Sequence, residues 1–493
     1  MSIFNNNLLA GAGAQSGTTT YAIDQSIRFN SAEAAFITQD SGGSFSNQST
    51  STISMWIKRG AYTSSGTRNV FYGAFYGGGG RYDWMQFDSS DRWVFGTRNT
   101  DATTADAVAA DNHRVTNMVF RDPSAWYHLV LVLDSTNAVD AERIRMYVNG
   151  ERITSLATSL TIPQNRGFYT MADGVENNIG AYEDNTGYSS HSYFDGYMAE
   201  VALIDGTAYD ADNFGEYNSS GIWIPKDISE LTFGSNGIYY KGQDSSALGD
   251  DSSGNGNDGT LRSIAAHDQI LDTPTNNFPT LNPISSDGLA AGELTGGNLE
   301  MRNIEYIDAT MPFPTSGKWY WELCTVSKTQ SNWNYGNHYF RDVVDQFPDS
   351  NFTDYITTNF YHGSNFYSSS NWTDGDFWTN SNAAAAGDVF GFAWDSDNKK
   401  IWLAKNNTYY GSGDPAGNSG TPLGSGGTAG VEYLITMYST LSQVMTLNFG
   451  QDDTFNNSKT SGSAGAADGN GVGKFYYAPP TGFLSLCSKN KGS

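Results

Sequence analysis

The stretch Trp126–Ile153, WYHLVLVLDSTNAVDAERIRMYVNGERI, decides the fold of the first half of the chain. The run from His128 to Leu133 is apolar at consecutive positions, which suits a strand covered on both faces, and Asp134, Ser135, Thr136 and Asn137 then end it in turn chemistry. The next run alternates: Ile144, Met146 and Val148 share one face, and Arg143, Arg145 and Tyr147 the other. Asn149-Gly150 supplies the two positive-φ residues that a type I′ hairpin turn demands. The stretch therefore predicts strand, loop, strand and tight turn.

Composition points the same way. At 493 residues the chain exceeds one ordinary core, so about two domains are expected. Lys plus Arg number 27 against 52 Asp plus Glu, and this charge of −25 with no basic run argues against nucleic acid or anionic lipid as partner. Charged residues make up only 16% of the chain and aromatics 14%, with 55 glycines, which describes a β-rich, loop-rich and weakly charged surface. Cys324 and Cys487 each sit in an apolar run and read as buried small hydrophobes, not as a disulfide framework. MSIFNNNLLAGAGAQSG at the start lacks a basic region and a long apolar core, so no signal peptide is expected, and no stretch approaches a membrane span.

Residues 1–20 have no periodicity and read either as a frayed terminus or as an N-terminal arm that orders on a partner. Residues 21–228 carry short strand-like runs between Gly, Ser, Asn and Asp clusters, the pattern of an antiparallel sandwich. Within them Asn99–Asn117, rich in Ala, Asp and Thr, reads as an exposed loop. Residues 229–285 read as a loop-rich linker that packs on the sandwich near Gly237–Lys241. Inside it Asp251, Ser253 and Asn255 copy the first half of a calcium loop. Position twelve would be Arg262 and not a bidentate Glu, so a plain turn is favoured over a metal site, and no cofactor is expected. Residues 286–493 repeat the strand grammar: SGKWYWEL at Ser316–Leu323, then strand, acidic turn and strand in Gly387–Asn407.

Two family resemblances ride on these motifs. The Trp-Tyr-His entry and the R-x-R-x-Y-V-N-G exit, with QSIRFN (Gln25–Asn30), SMWIKRG (Ser54–Gly60) and FDGYMAEVALIDG (Phe194–Gly206), resemble concanavalin A-like, laminin G-like jelly rolls. More narrowly, RDPSAWYH (Arg121–His128) and DSSALGDDSSGNGNDGTL (Asp244–Leu261) resemble jelly-roll proteins of tailed phages, many of them marine. In the second half the Trp-Tyr-Trp-Glu strand, Gly387-Asp388 and LNFGQDDTF (Leu447–Phe455) resemble SPRY (B30.2-like) domains; the usual Asn-Gly after the second strand is Asn406-Asn407 here. The implied fold is all-β, two antiparallel sandwiches in series, a jelly roll and then a SPRY-like domain behind a short arm.

Because concanavalin A-like folds include glucanases, an enzyme reading needs two carboxylates on one strand face. Glu200 and Asp205 are five apart and fall on opposite faces. No G-x-S-x-G, P-loop, H-E-x-x-H or paired C-x-x-C occurs, and the six histidines are scattered singly. No catalytic residue is expected, and His128 reads as structural. What the chain has in excess is aromatics among amides, hydroxyls and acids, a composition suited to sugar rings. Ser331–Phe340 offers Trp333 and Tyr335. Asn359–Asn380 offers Tyr367, Trp372, Asp374, Asp376 and Trp378, with a turn at Thr373–Asp376. Ala181–Phe194 is a third such segment. The phage resemblance implies a non-enzymatic virion protein, a fibre or appendage that binds host-surface glycan or protein, held on other virion proteins through its arm. A homo-oligomer is expected, first of all a trimer, exposed on the particle without membrane insertion. A capsid or tail decoration protein and a polysaccharide-degrading enzyme are the alternatives.

Overall fold

A computed structural model describes residues 21–40, 48–60, 69–76, 81–99, 108–170, 172, 174–184, 187–286, 289, 293–327, 337–343, 355–359, 372–374, 384–439, 443–461 and 466–491. The fold is all-β, and the chain divides into two compact units, Met1–Thr275 and Asn276–Ser493.

In the first unit, two sheets of eight strands each form a sandwich among the described residues. One sheet runs Glu151–Arg152, Ile144–Val148, Trp126–Asp134, Thr50–Arg59, Gly196–Asp205, Ser26–Phe29 and Gln269–Ile270, and Ile238–Tyr240 also pairs with Gly196–Asp205. The Trp126–Asp134 strand lies at its middle, between Thr50–Arg59 and Ile144–Val148, and its continuous apolar run follows from that place. Leu129, Leu131 and Leu133 enter the core between the sheets with Ile144, Met146 and Val148. Trp126, Val130 and Val132 enter a second apolar layer on the outer face, with Trp56, Tyr197, Phe214 and Trp223. Asn149 (φ 48°) and Gly150 (φ 80°) make the expected turn. A Cβ at Gly150 would also lie 2.4 Å from the Trp223 ring, so only glycine fits there.

Two segments differ from expectation. Val108–Val119, most of it in the stretch Asn99–Asn117 read as a loop, is a strand paired with Arg92–Asn99 on one side and Leu156–Thr158 on the other. The cross-strand ladder, not the Ala, Asp and Asn composition, decides its conformation. Residues 229–275, read as linker, supply Ile238–Tyr240, Thr260–Arg262 and Gln269–Ile270 to the two sheets. Buried ion pairs bolt this segment down: Arg28 with Asp268 (3.2 Å), and Lys58 with Asp272 (2.6 Å), whose other oxygen accepts the Trp126 indole N–H at 3.0 Å.

Among the described residues, the second unit has a ten-stranded and a four-stranded sheet. Lys318–Ser327 pairs with Val389–Asp395 and Val444–Asn448. Trp321 stacks on Phe392 at 5.1 Å and 3° and packs against Phe313 and Phe340, while Tyr320 on the opposite face joins Trp402, Phe475 and Phe483. Asn406 (φ 47°) and Asn407 (φ 65°) form the two-residue turn between Lys405 and Thr408, so asparagine does here what Asn-Gly does elsewhere. Cys324 and Cys487 are buried free thiols, pushed up to about 12 and about 11 by burial.

Candidate functional site

A group of buried ionisable and hydroxyl side chains lies on the outer face of the Trp126–Asp134 sheet, in the apolar layer that includes Phe214 and Trp223. Trp56 and His128 are register partners on adjacent strands, and their rings stack at 4.7 Å. His128 Nδ1 lies 3.0 Å from Trp223 Nε1, and Nε2 lies 2.9 Å from Ser54 Oγ. An indole N–H only donates, so Nδ1 must be the bare nitrogen, and Nε2 carries the proton and donates to Ser54. Burial holds the ring neutral, with its pKa lowered to about 3. A serine nucleophile needs the opposite tautomer, with a bare nitrogen facing its hydroxyl. The pair is thus built as a strut: it ties two central strands to the covering segment.

Glu200 stands beside it. A bulge between Ala199 and Ala202 gives Glu200 a φ of 50°, so that its carboxylate enters the outer layer. It accepts hydrogen bonds from Tyr21 Oη (2.9 Å) and Tyr239 Oη. Burial raises its pKa to about 7, against the opposing pull of Lys241. The cavity among Ser54, Trp56, His128, Glu200 and Phe214 is about 10 Å³, room for one water molecule. Ligand pockets need roughly 300–1,000 Å³. Asp205 is occupied elsewhere, accepting the Asn236 N–H at 3.1 Å in the turn that ends its strand.

The second unit uses a carboxylate in the same way. Glu322, fully buried, accepts the backbone N–H groups of Tyr476 and Tyr477 (2.8 Å each), the Asn448 amide (3.1 Å) and the Tyr320 hydroxyl (3.2 Å). Burial raises it to about 7, against those backbone bonds. Asn448 Oδ1 also accepts from Gly450 and Asp452, so the Trp-Glu strand and the Asn-Phe-Gly motif are one network. His338 Nε2 accepts the Trp321 indole N–H at 3.1 Å, and burial lowers its pKa to about 3.

Of the residues expected at a binding surface, Trp372 and Asp374 lie on the short strand Trp372–Asp374, in register with Gly426 and Gly424. The turn expected at Thr373–Asp376 therefore begins no earlier than the end of that strand. Trp333, Tyr335, Tyr367, Asp376 and Trp378 fall outside the described residues, as does the arm 1–20. The Asp251 loop is a tightly bonded turn: the carboxylate accepts from Tyr239 N, Ser253 N and Asn257 N (2.9 Å each) and from Ser253 Oγ (2.7 Å). Asn255 turns its amide N–H to the carbonyls of Gly234 and Gly237. The Asp251 carboxylate is thereby spent on holding the turn itself. The sequence reading missed Ser54, Tyr21 and Tyr239 as partners of His128 and Glu200. Only strand register and the bulge bring them together, so spacing along the chain carried no signal.

Residues 30–212 match the concanavalin A-like lectin/glucanases superfamily. No curated protein matches the chain. Solved structures similar to it include the native heptameric SAP-like pentraxin from Limulus polyphemus (13% identity, 37% of this chain and 76% of that one, TM-score 0.26). The SPRY domain of human HERC1 (16% identity, 34% and 96%, TM-score 0.24) and mouse laminin alpha1 chain domains LG4-5 (8% identity, 87% and 89%, TM-score 0.27) are others.

Proposed function

We propose that this chain is a non-enzymatic recognition protein of a tailed-phage particle, a fibre or appendage that binds glycan or protein on the host surface. The observation that supports binding over catalysis is where the buried carboxylates and imidazoles are spent. Glu200 receives Tyr21 and Tyr239, His128 is held between Ser54 and Trp223 in the tautomer unsuited to a serine nucleophile, and Glu322 fastens Tyr476 and Tyr477. Each holds a loop or chain end on a rigid sandwich, the arrangement of a scaffold that presents loops. The virion role rests on the resemblance of Arg121–His128 and Asp244–Leu261 to phage jelly-roll proteins, and on a composition rich in aromatics and amides. In that setting the arm docks on other virion proteins and the chain is a homo-oligomer, a trimer first.

Purified full-length chain, added before the particles, should compete for host cells and lower adsorption in proportion to its concentration. Particles that contain the chain yet adsorb equally in its presence would instead indicate a decoration protein. Particles that lack the chain altogether would end the virion reading.

A further inference from the structure

We infer that the corner formed by Tyr476 and Tyr477 at one end of the second sandwich is a binding site for a pyranose ring, beside Asp388, Lys405, Asn406 and Lys459. The inference rests on the proposed role in surface recognition and names a site and a ligand class within it.

The two rings stand 4.9 Å apart at 88°, a floor and a wall. Both are half-buried and pack against the buried Cys324, Val389 and Phe455. Their backbone is held from behind, since both N–H groups end on the Glu322 carboxylate. The corner therefore loses little freedom when something settles into it.

Its rim is polar and already ordered. Asp388 accepts from Asn406 Nδ2 (2.8 Å), Lys405 Nζ (2.8 Å) and Ala385 N (2.7 Å). The Lys459 ammonium lies over the Tyr476 ring, 5.7 Å from its centre, and 3.3 Å from where a Cβ on Gly387 would stand. Asp388 stands in the chain between Gly387, which the Lys459 ammonium approaches, and Val389, whose apolar cluster both tyrosines pack against.

A pyranose offers what this geometry takes: a C–H face for a tyrosine ring, and hydroxyls that both donate to a carboxylate and accept from an ammonium.

The full-length chain is applied to an array of pyranose oligosaccharides, and the glycan with the strongest signal is then titrated. Tyr477→Ala and Tyr476→Ala should weaken that glycan on the order of tenfold, the change expected on losing a well-packed aromatic contact. Lys459→Ala should weaken it by less. Should either alanine variant fail to unfold cooperatively, Tyr477→Leu, which keeps an apolar contact with Cys324 and Val389 but lacks a ring face, takes its place with the same expected loss. Unchanged affinity in folded Tyr477 and Tyr476 variants overturns the site while leaving surface recognition intact. No binding to any pyranose by the wild-type chain overturns the ligand class; competition for particle adsorption then judges the recognition role separately.

Discussion

At the scale of single residues, the outer layer of the first unit turns on Glu200. Its carboxylate faces Tyr21, Tyr239 and Lys241, with Asp227 farther off, and burial outweighs the lysine, so the folded chain holds the proton up to about pH 7. An unperturbed glutamate releases it at 4.5. Below the lower value both states are protonated; between the two only the folded state is. Stability therefore falls as pH rises through this window and is flat above it. A shift from 4.5 to about 7 corresponds to about 3 kcal/mol at most. Glu200→Gln should flatten the pH dependence of the first unit's melting transition and raise its Tm at pH 8 relative to wild type. Calorimetry at pH 5 and pH 8 checks this. Parallel pH dependence in variant and wild type would show that Glu200 does not carry it.

At the scale of elements, the segment that closes the first unit carries a buried charge network beside a short strand. Gln269–Ile270 is a two-residue strand, yet beside it Asp272 reaches Lys58 and Trp126, and its carbonyl accepts from Ser26 Oγ at 2.7 Å. Burial pulls the Lys58 ammonium below its usual range, with Asp272 opposing. Removing one member of a buried pair costs about 3–5 kcal/mol, whereas exchanging both for apolar groups costs far less. Asp272→Ala should thus destabilise the first unit by about 3–5 kcal/mol in urea titration, and Lys58→Met with Asp272→Leu should recover much of it. A loss under about 1 kcal/mol for the single change would mean that water reaches Lys58 and the bolt is weak.

At the scale of the whole molecule, the chain forms two compact units, Met1–Thr275 and Asn276–Ser493, and among the described residues neither has a sheet that draws a strand from the other. The described contribution of the chain start to the first unit begins at Tyr21, whose hydroxyl reaches Glu200 and Tyr239. Deleting residues 1–20 should therefore leave both melting transitions within about 1 °C of wild type, a ΔΔG of roughly half a kcal/mol or less. On the proposed virion role it should also abolish incorporation into particles. Truncated chain found in particles at wild-type copy number would rule out the arm as anchor.

The sequence by itself determined what depends on neighbours along the chain. Asn149-Gly150 and Asn406-Asn407 make their turns because left-handed φ is a local steric matter, and the strict alternation of Ile144, Met146 and Val148 places one face on the core. Trp321 and Glu322 were legible as one strand, and Cys324 and Cys487 as buried thiols, for the same reason. The tertiary structure alone decided the rest. Val108–Val119, Ile238–Tyr240, Thr260–Arg262 and Gln269–Ile270 have weak patterns and become strands because existing sheet edges satisfy their backbone groups. The bulge that turns Glu200 into the outer layer, the proton on His128 Nε2 and the meeting of Tyr476 with Asp388's rim arise among residues far apart in sequence. Desolvation and hydrogen-bond partnership are properties of the packed surroundings, so no spacing of residue types along the chain could have encoded them legibly.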